Sequence, residues 1–411
     1  MSQQGPVIIV SAGERPSFAA ALDDARIFPV IDATWHDASQ AVEQMQPAAV
    51  FAAMSGTIAP GFTALASQIA AARPYLPLIA VDPHGLLLPP NAIPFAQHGD
   101  NFERLMARLR AALRVRTLHS ALMRRLDNDP QAPTTLSETD PVRDATVLLI
   151  GRGAAYPSLS VSFGGHMAVV GALSIEAAAK HLNARDINGV VLGEGFSARV
   201  VDAFLTVLAE DARFRNLPVI LTSDELAPAY DLPNLEIIIG EPAFVAANAL
   251  PLIRQRALEA HLSRTLRAID AGGLLDPRTG LLTPIAFSRD FTTAVEQTRS
   301  RGGGLSVARF GFDPTHPRAQ LDGARIISRL MRQMDFGTAQ QDGSVIVAFS
   351  ETDLRTAHAI ARRLSSVMRH TSHGKRDVRS EPVVTLATML PSDSAKSLLA
   401  RLADEGQRAA S

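Results

Sequence analysis

The chain has 411 residues, 46% of them hydrophobic, with 40 basic and 41 acidic side chains and a net charge of −1. That length suggests two to four domains with ordinary cores, and the charge balance excludes the global basic field of a nucleic-acid binder. There is no cysteine, which excludes disulfides, thiolate metal sites and cysteine nucleophiles and fits a reducing cytoplasm. The N-terminus lacks a basic segment, no apolar run is long enough to span a bilayer, and neither a signal peptide nor membrane insertion is expected.

From Pro6, short apolar runs alternate with helical patterns. Strands are expected at Val7–Val10, Phe28–Ala33, Ala48–Met54, Leu78–Asp82 and Ala92–Ala96, with helices at Ala19–Arg26, Ala38–Met45 and Pro60–Ala72. This is the βαβ alternation of a parallel sheet. A helix rich in Arg and Leu follows, from about Asn101 to Leu126, longer than closing one domain requires. The polar stretch Asp127–Asp144 reads as a linker.

The pattern then repeats. Strands are expected at Ala145–Gly151, Met167–Leu173, Gly189–Leu192, Pro218–Thr222 and Leu235–Gly240, and a second long helix at Ala243–Asp270, stopped by Gly272-Gly273. The Leu- and Ala-rich stripes of the two long helices predict a homodimer.

The last third is organised by Ala324–Asp353. Ile326, Ile327, Leu330, Met331 and Met334 recur at helical spacing, Asp342-Gly343 marks a hairpin turn, and Val345–Phe349 reads as a strand. Arg332 and Asp335 stand three apart at the expected helix end, on one face. They read either as a surface ion pair or as two halves of a site for a phosphate and a base edge. The 11 histidines show no metal-ligand spacing. Gly302-Gly303-Gly304 and Gly164-Gly165-His166 read as turns, and His373–Arg376 as a solvated basic loop.

Several of these residues carry a resemblance. Asp276–Leu281 (DPRTGL) resembles the DxLTGL opening of GGDEF domains, the catalytic domains of bacterial diguanylate cyclases. Aligned back from VIVAFSETD, the five signature positions fall on Gln341, Asp342, Gly343, Ser344 and Val345. The similarity runs over roughly residues 272–411, to VVTLATMLP and Ala403-Asp404-Glu405. The two preceding units resemble flavodoxin-like receiver domains, and receiver–receiver–GGDEF is the order of PleD-type response regulators of two-component signalling. The resemblance implies an α/β chain: a receiver-like unit over 1–126, a linker over 127–144, a second receiver-like unit over 145–271 and a degenerate GGDEF domain over 272–411.

The same resemblance implies lost chemistry. A receiver needs an acidic pair, a phospho-acceptor Asp and a Lys to hold Mg²⁺ and a phosphoryl group. Here Ser11-Ala12 and Gly151-Arg152 follow the first strands, Ala53 and Gly193 take the acceptor positions, and Gln97-His98 and Gly240-Glu241-Pro242 lie near the Lys positions. Glu194, one residue off, is a stand-in acceptor or a plain loop carboxylate. In the cyclase site the metal carboxylates are replaced by Gly311 and Gly343 and the acidic fourth signature residue by Ser344. Asp313 lies after the first of these, and Pro314–Pro317 stands where the guanine-binding segment is missing. No catalytic residue, metal or phospho-acceptor is expected, and no cofactor.

What the resemblance retains is the RxxD of the family's product-binding site, at Arg332 and Asp335, with Arg363 as a second arginine. Each Arg can fork to phosphate or lie over a guanine, and Asp335 can accept from a guanine edge; the competing reading of Arg362 and Arg363 is a solvated helix face. The expectation is a cytoplasmic, non-enzymatic cyclic di-GMP effector that signals to a protein partner. It resembles PopA-type effectors, which implies recruitment to a cell pole and cell-cycle control. The alternatives are a structural dimeric scaffold without ligand and, last, an active diguanylate cyclase.

Overall fold

The computed structural model describes the chain except residues 1–4, 27, 57, 98–101, 129–139, 224–229, 231, 314, 370, 373–380 and 411, and the side chains of 128, 371–372 and 404–410. His98, most of the linker, Pro314, the basic loop His373–Arg376 and the side chains of Asp404 and Glu405 lie outside the described residues.

The first unit comprises β1 (Val7–Ser11), α1 (Ser17–Asp24), β2 (Val30–Thr34), α2 (Ala38–Met45), β3 (Ala49–Ala53), α3 (Phe62–Ala71), β4 (Leu78–Val81), β5 (Ala92–Phe95) and α4 (Glu103–Asn128). Its five strands are parallel in the order β2-β1-β3-β4-β5. Alternate residues face opposite sides of a strand, so Val7, Ile9 and Phe51 pack against α1 and α4, and Ile8, Val10 and Val50 against α2 and α3. Both faces are covered, which is why these strands read as unbroken apolar runs. The crossover from β4 to β5 holds no helix.

The second unit repeats this plan with β6 (Thr146–Ile150), α5 (Tyr156–Gly164), β7 (Ala168–Ala172), α6 (Ile175–Ala184), β8 (Gly189–Leu192), α7 (Ala198–Glu210), β9 (Val219–Leu221), β10 (Leu235–Ile237) and α8 (Pro242–Asp270). Its order, β10-β9-β8-β6-β7, is the same doubly wound 2-1-3-4-5 arrangement read from the other edge. Helix α8 ends at a Schellman turn, in which Gly273 N donates to Ala268 O and Gly272 N to Ile269 O.

The two long helices pack on each other within one chain. Arg114 pairs with Glu259 at 2.6 Å and Arg125 with Asp270 at 2.5 Å, both across 145 residues, so the helices run in the same direction. Val115, Leu122 and Leu262 are buried between them. Part of the apolar stripes that suggest a homodimer is therefore covered within the chain.

A buried ion pair seals the two units. Arg108 is fully buried and Glu236 is 2% exposed, 2.7 Å apart, with Arg104 on the same carboxylate at 3.3 Å. Arg108 also donates to the carbonyls of Pro94, Pro233 and Leu235, and Glu236 accepts from Ala96 N.

The third unit comprises α9 (Pro284–Arg301), β11 (Leu305–Gly311), α10 (Pro317–Leu330), β12 (Phe336–Ala339), β13 (Ser344–Ser350), α11 (Leu354–Met368), β14 (Thr371–Ser372), β15 (Val383–Thr388) and α12 (Ala395–Ala410). β12, β13, β11 and β15 form an antiparallel sheet in that order. Helices α10 and α11 cover one face, α9 and α12 the other. β14 leaves this sheet and pairs with β7, extending the second unit's sheet. Helix α10 docks on the same unit: Arg318 donates to Arg143 O, Ala145 O and Thr146 Oγ1, Arg325 to Asp144 O, and Arg329 to Asn183 O. Arg185 reaches back from the second unit to Val367 O in α11.

Candidate functional site

Helix α10 stops earlier than the spacing predicts. Met331 is extended, with φ −68° and ψ 154°, so Arg332 and Asp335 do not share a helix face. They close a turn in which Asp335 N donates to Arg332 O at 3.1 Å. Met334, assigned to the apolar face from sequence, is 57% exposed. The apolar pattern overran the helix because the turn places Met334 outward while its carbonyl accepts from Ser350 Oγ.

The turn buries its acid and exposes its base. Asp335 is 4% exposed, and Oδ1 accepts from Ser350 N at 3.2 Å. Its Oδ2 is buried with no hydrogen-bond partner. Burial raises the Asp335 pKa, against the opposing pull of the Ser350 and Arg332 contacts. Arg332 is exposed, and its charge acts on the Asp335 carboxylate without an ion-pair contact closing between them. A desolvated acceptor beside an exposed guanidinium suits a ligand that offers both a donor edge and an anion.

Arg363 stands on the exposed face of α11, next to the equally exposed Arg362. The structure places Arg332 and Asp335 in one turn and Arg363 on the exposed face of α11. Arg362 belongs to a shallow groove with Arg355 and His358, which Arg363 does not line.

The raised pKa of Asp335 has a thermodynamic consequence. A carboxyl whose folded pKa exceeds its unfolded value of about 3.9 favours folding below that value and disfavours it as pH rises through the folded one. Asp335→Asn is expected to melt above wild type at pH 7 without ligand, and the gain should disappear toward pH 3. Thermal melts across that range check this; a lower melting temperature at pH 7 would contradict it.

At the sheet's other end, Gly311 pairs with Ser344 and Val383. Gln341, Asp342 and Gly343 form the loop of the β12–β13 hairpin, closed by Gln340 N donating to Ser344 O at 2.8 Å, with Gly343 at φ 86°. This is a three-residue hairpin with glycine in the left-handed position. Asp342 is fully engaged: its carboxylate accepts from Ser344 N and Oγ and pairs with Arg309 at 2.9 Å. Burial opposes its ionisation, yet those partners hold its pKa below the ordinary value. Asp313 is exposed, and hydrogen bonds from Thr315 lower its pKa. Among the described residues no group of three or more His, Asp or Glu side chains could hold a metal. In the second unit Glu194 is exposed at the end of β8. No helix of the described residues is long and apolar enough to cross a membrane.

No protein-family model and no curated protein matches the chain. Solved structures with a local likeness include GGDEF domains. They include the coiled coil and GGDEF domain of DgcB from Caulobacter crescentus in complex with c-di-GMP, at 14% identity and TM-score 0.31, over 35% of this chain and 83% of that one. A sensory box/GGDEF family protein from Caulobacter crescentus shares 17% identity at TM-score 0.30, over 33% and 96%. The FimX GGDEF domain from Pseudomonas aeruginosa shares 16% at TM-score 0.31, over 33% and 93%.

Proposed function

We propose that this protein is a non-catalytic cyclic di-GMP effector, with Arg332 and Asp335 as the primary contacts and Arg363 as a further arginine. The observation that carries the reading is Asp335: a buried carboxylate with one oxygen unpartnered, in the same turn as an exposed arginine. Guanine presents adjacent N–H donors to such an oxygen, and the cyclic phosphates present anions to the guanidinium. The DPRTGL opening and the RxxD spacing support it from the sequence side.

Catalysis is not part of this reading. Gly311, Gly343 and Ser344 stand where the cyclase resemblance needs carboxylates, and Asp342 is held by Arg309 and Ser344. Purified protein incubated with GTP and Mg²⁺ is expected to form no cyclic di-GMP by chromatography; turnover that survives rigorous purification would overturn this part.

The route for a signal is the last turn of α11. Arg363 is one helical turn before Val367, whose carbonyl Arg185 of the second unit grips, and β14 just beyond joins the second sheet. Ligand held by Arg363 would therefore act on the contact between the third unit and the second. On this reading those units, with Ala53 and Gly193 at the acceptor positions, serve as a docking surface for a protein partner, and polar recruitment follows from that partner. Light scattering at micromolar concentration tests whether the chain self-associates.

Calorimetric titration tests the ligand. Wild type is expected to bind cyclic di-GMP, and Arg332→Ala to lose tenfold to a hundredfold in affinity, since a charge-assisted bond contributes about 1.5–3 kcal/mol. Asp335→Asn should weaken guanine more than adenine dinucleotides, Arg363→Ala should weaken both, and Arg362→Ala should change little. Equal binding by wild type and Arg332→Ala would place the ligand elsewhere; no binding by wild type would favour the scaffold.

A further inference from the structure

A cavity of about 550 Å³ lies where the three units meet, away from the Arg332 turn. Its walls come from the α3–β4 connection, from α4, from α8 and from Arg278 of the third unit. It is within the size range of small-molecule sites, and apolar side chains such as Ile69, Leu76 and Leu258 share its lining with polar and charged ones.

Among those polar groups, His119 and Arg73 present donors to the cavity. His119 is 6% exposed, and its Nδ1 accepts from Tyr75 N at 2.9 Å. A neutral ring that accepts at Nδ1 carries its proton on Nε2. Burial first, then the charges of Arg73 and Arg116, lower the His119 pKa and keep the ring neutral. No partner for its Nε2–H exists among the described residues. Gln255 is 5% exposed, and its amide lies against the Tyr75 hydroxyl, while Nε2 of His261 is buried without a hydrogen-bond partner. Arg73, at the rim, donates only to the carbonyls of Ala70 and Ala72 and has no carboxylate partner among the described residues. The two carboxylates of the wall are engaged, Asp140 by Arg254 at 2.7 Å and Asp144 by Arg278 at 3.2 Å.

A lining with the Nε2–H of His119, an uncommitted cation at Arg73 and both wall carboxylates engaged suits a guest that carries an anionic acceptor. We propose that this cavity is a binding site for a small organic anion, one carboxylate, sulfonate or phosphate on a flat apolar body. Because Tyr75 and His119 belong to the first unit, Gln255 to the second and Arg278 to the third, its occupant would touch all three.

The test uses the full chain and 1-anilinonaphthalene-8-sulfonate, a fluorescent anion of this class. One saturable site with micromolar Kd is expected. Ala70→Trp, which places bulk at an exposed lining position of α3, and Arg73→Glu, which reverses the rim charge, are each expected to weaken binding at least tenfold. Their circular dichroism and melting temperature should match wild type. Arg332→Ala should bind the dye as wild type does, which separates this site from the dinucleotide contacts. Absence of a saturable dye site on wild type, or wild-type affinity in the folded Arg73→Glu variant, would overturn the proposal whatever the outcome with cyclic di-GMP.

Discussion

Glu236→Ala is expected to destabilise the joined first and second units by about 3–5 kcal/mol, the cost of breaking a buried ion pair by removing one partner. The variant leaves Arg108 fully buried and Arg104 nearly so without their carboxylate. Three backbone carbonyls still solvate Arg108, but none carries a compensating charge. Arg108→Ala should cost a similar amount for a different reason: it empties a large buried volume and strips the carbonyls of Pro94 and Pro233 of a donor. The diagnostic result is the double variant. Replacing a buried pair by apolar residues of similar volume is often neutral, so Arg108→Met with Glu236→Met should recover most of the loss of either single change. The midpoint of the first urea transition measures all three. Single variants within about 0.5 kcal/mol of wild type would mean that the two units are not held together by this pair.

The second large effect is expected where the third unit docks. Arg325 is 7% exposed and donates to Arg278 O at 2.9 Å and Asp144 O at 2.7 Å. Burial, with the neighbouring Arg264 and Arg318, pushes its pKa down to about 10, which leaves it charged at neutral pH. Hydrogen bonds from a charged group contribute about 1.5–3 kcal/mol. The pair Arg318→Ala and Arg325→Ala is expected to remove most of what α10 contributes to docking while leaving the hairpin and the Arg332 turn intact. Small-angle scattering should then show a larger radius of gyration. An unchanged radius would show that β14 and the Arg185 contact hold the unit unaided.

Much of the architecture was legible in the chain. Ala38–Met45 and Gly189–Leu192 were read with the bounds they have in the structure, because a buried parallel strand and an amphipathic helix leave local, periodic signatures. Asp342-Gly343 announced a turn for an equally local reason, since a left-handed residue there favours glycine. The RxxD spacing was legible too, but its geometry was not. The apolar rhythm through Leu330, Met331 and Met334 extended the helix past the point where Met331 turns extended, and nothing local marks that stop.

The sequence by itself determined where the chain turns, which residues alternate inward, and which chemistry-bearing side chains stand at which spacing. It held no information about partners far along the chain. Helix α4 was read as a stripe seeking a second molecule, and only the fold supplied α8, with Arg114 and Glu259 meeting across 145 residues. The Arg108–Glu236 pair spans 128 residues, β14 crosses to another unit's sheet, and Asp335 is buried beside Ser350, 15 residues on, whose N–H donates to it. The cavity exists only where three units converge. Periodicity encodes which face a residue presents, whereas burial, ion pairing and an unpartnered oxygen depend on what that face meets, and that is decided by tertiary packing.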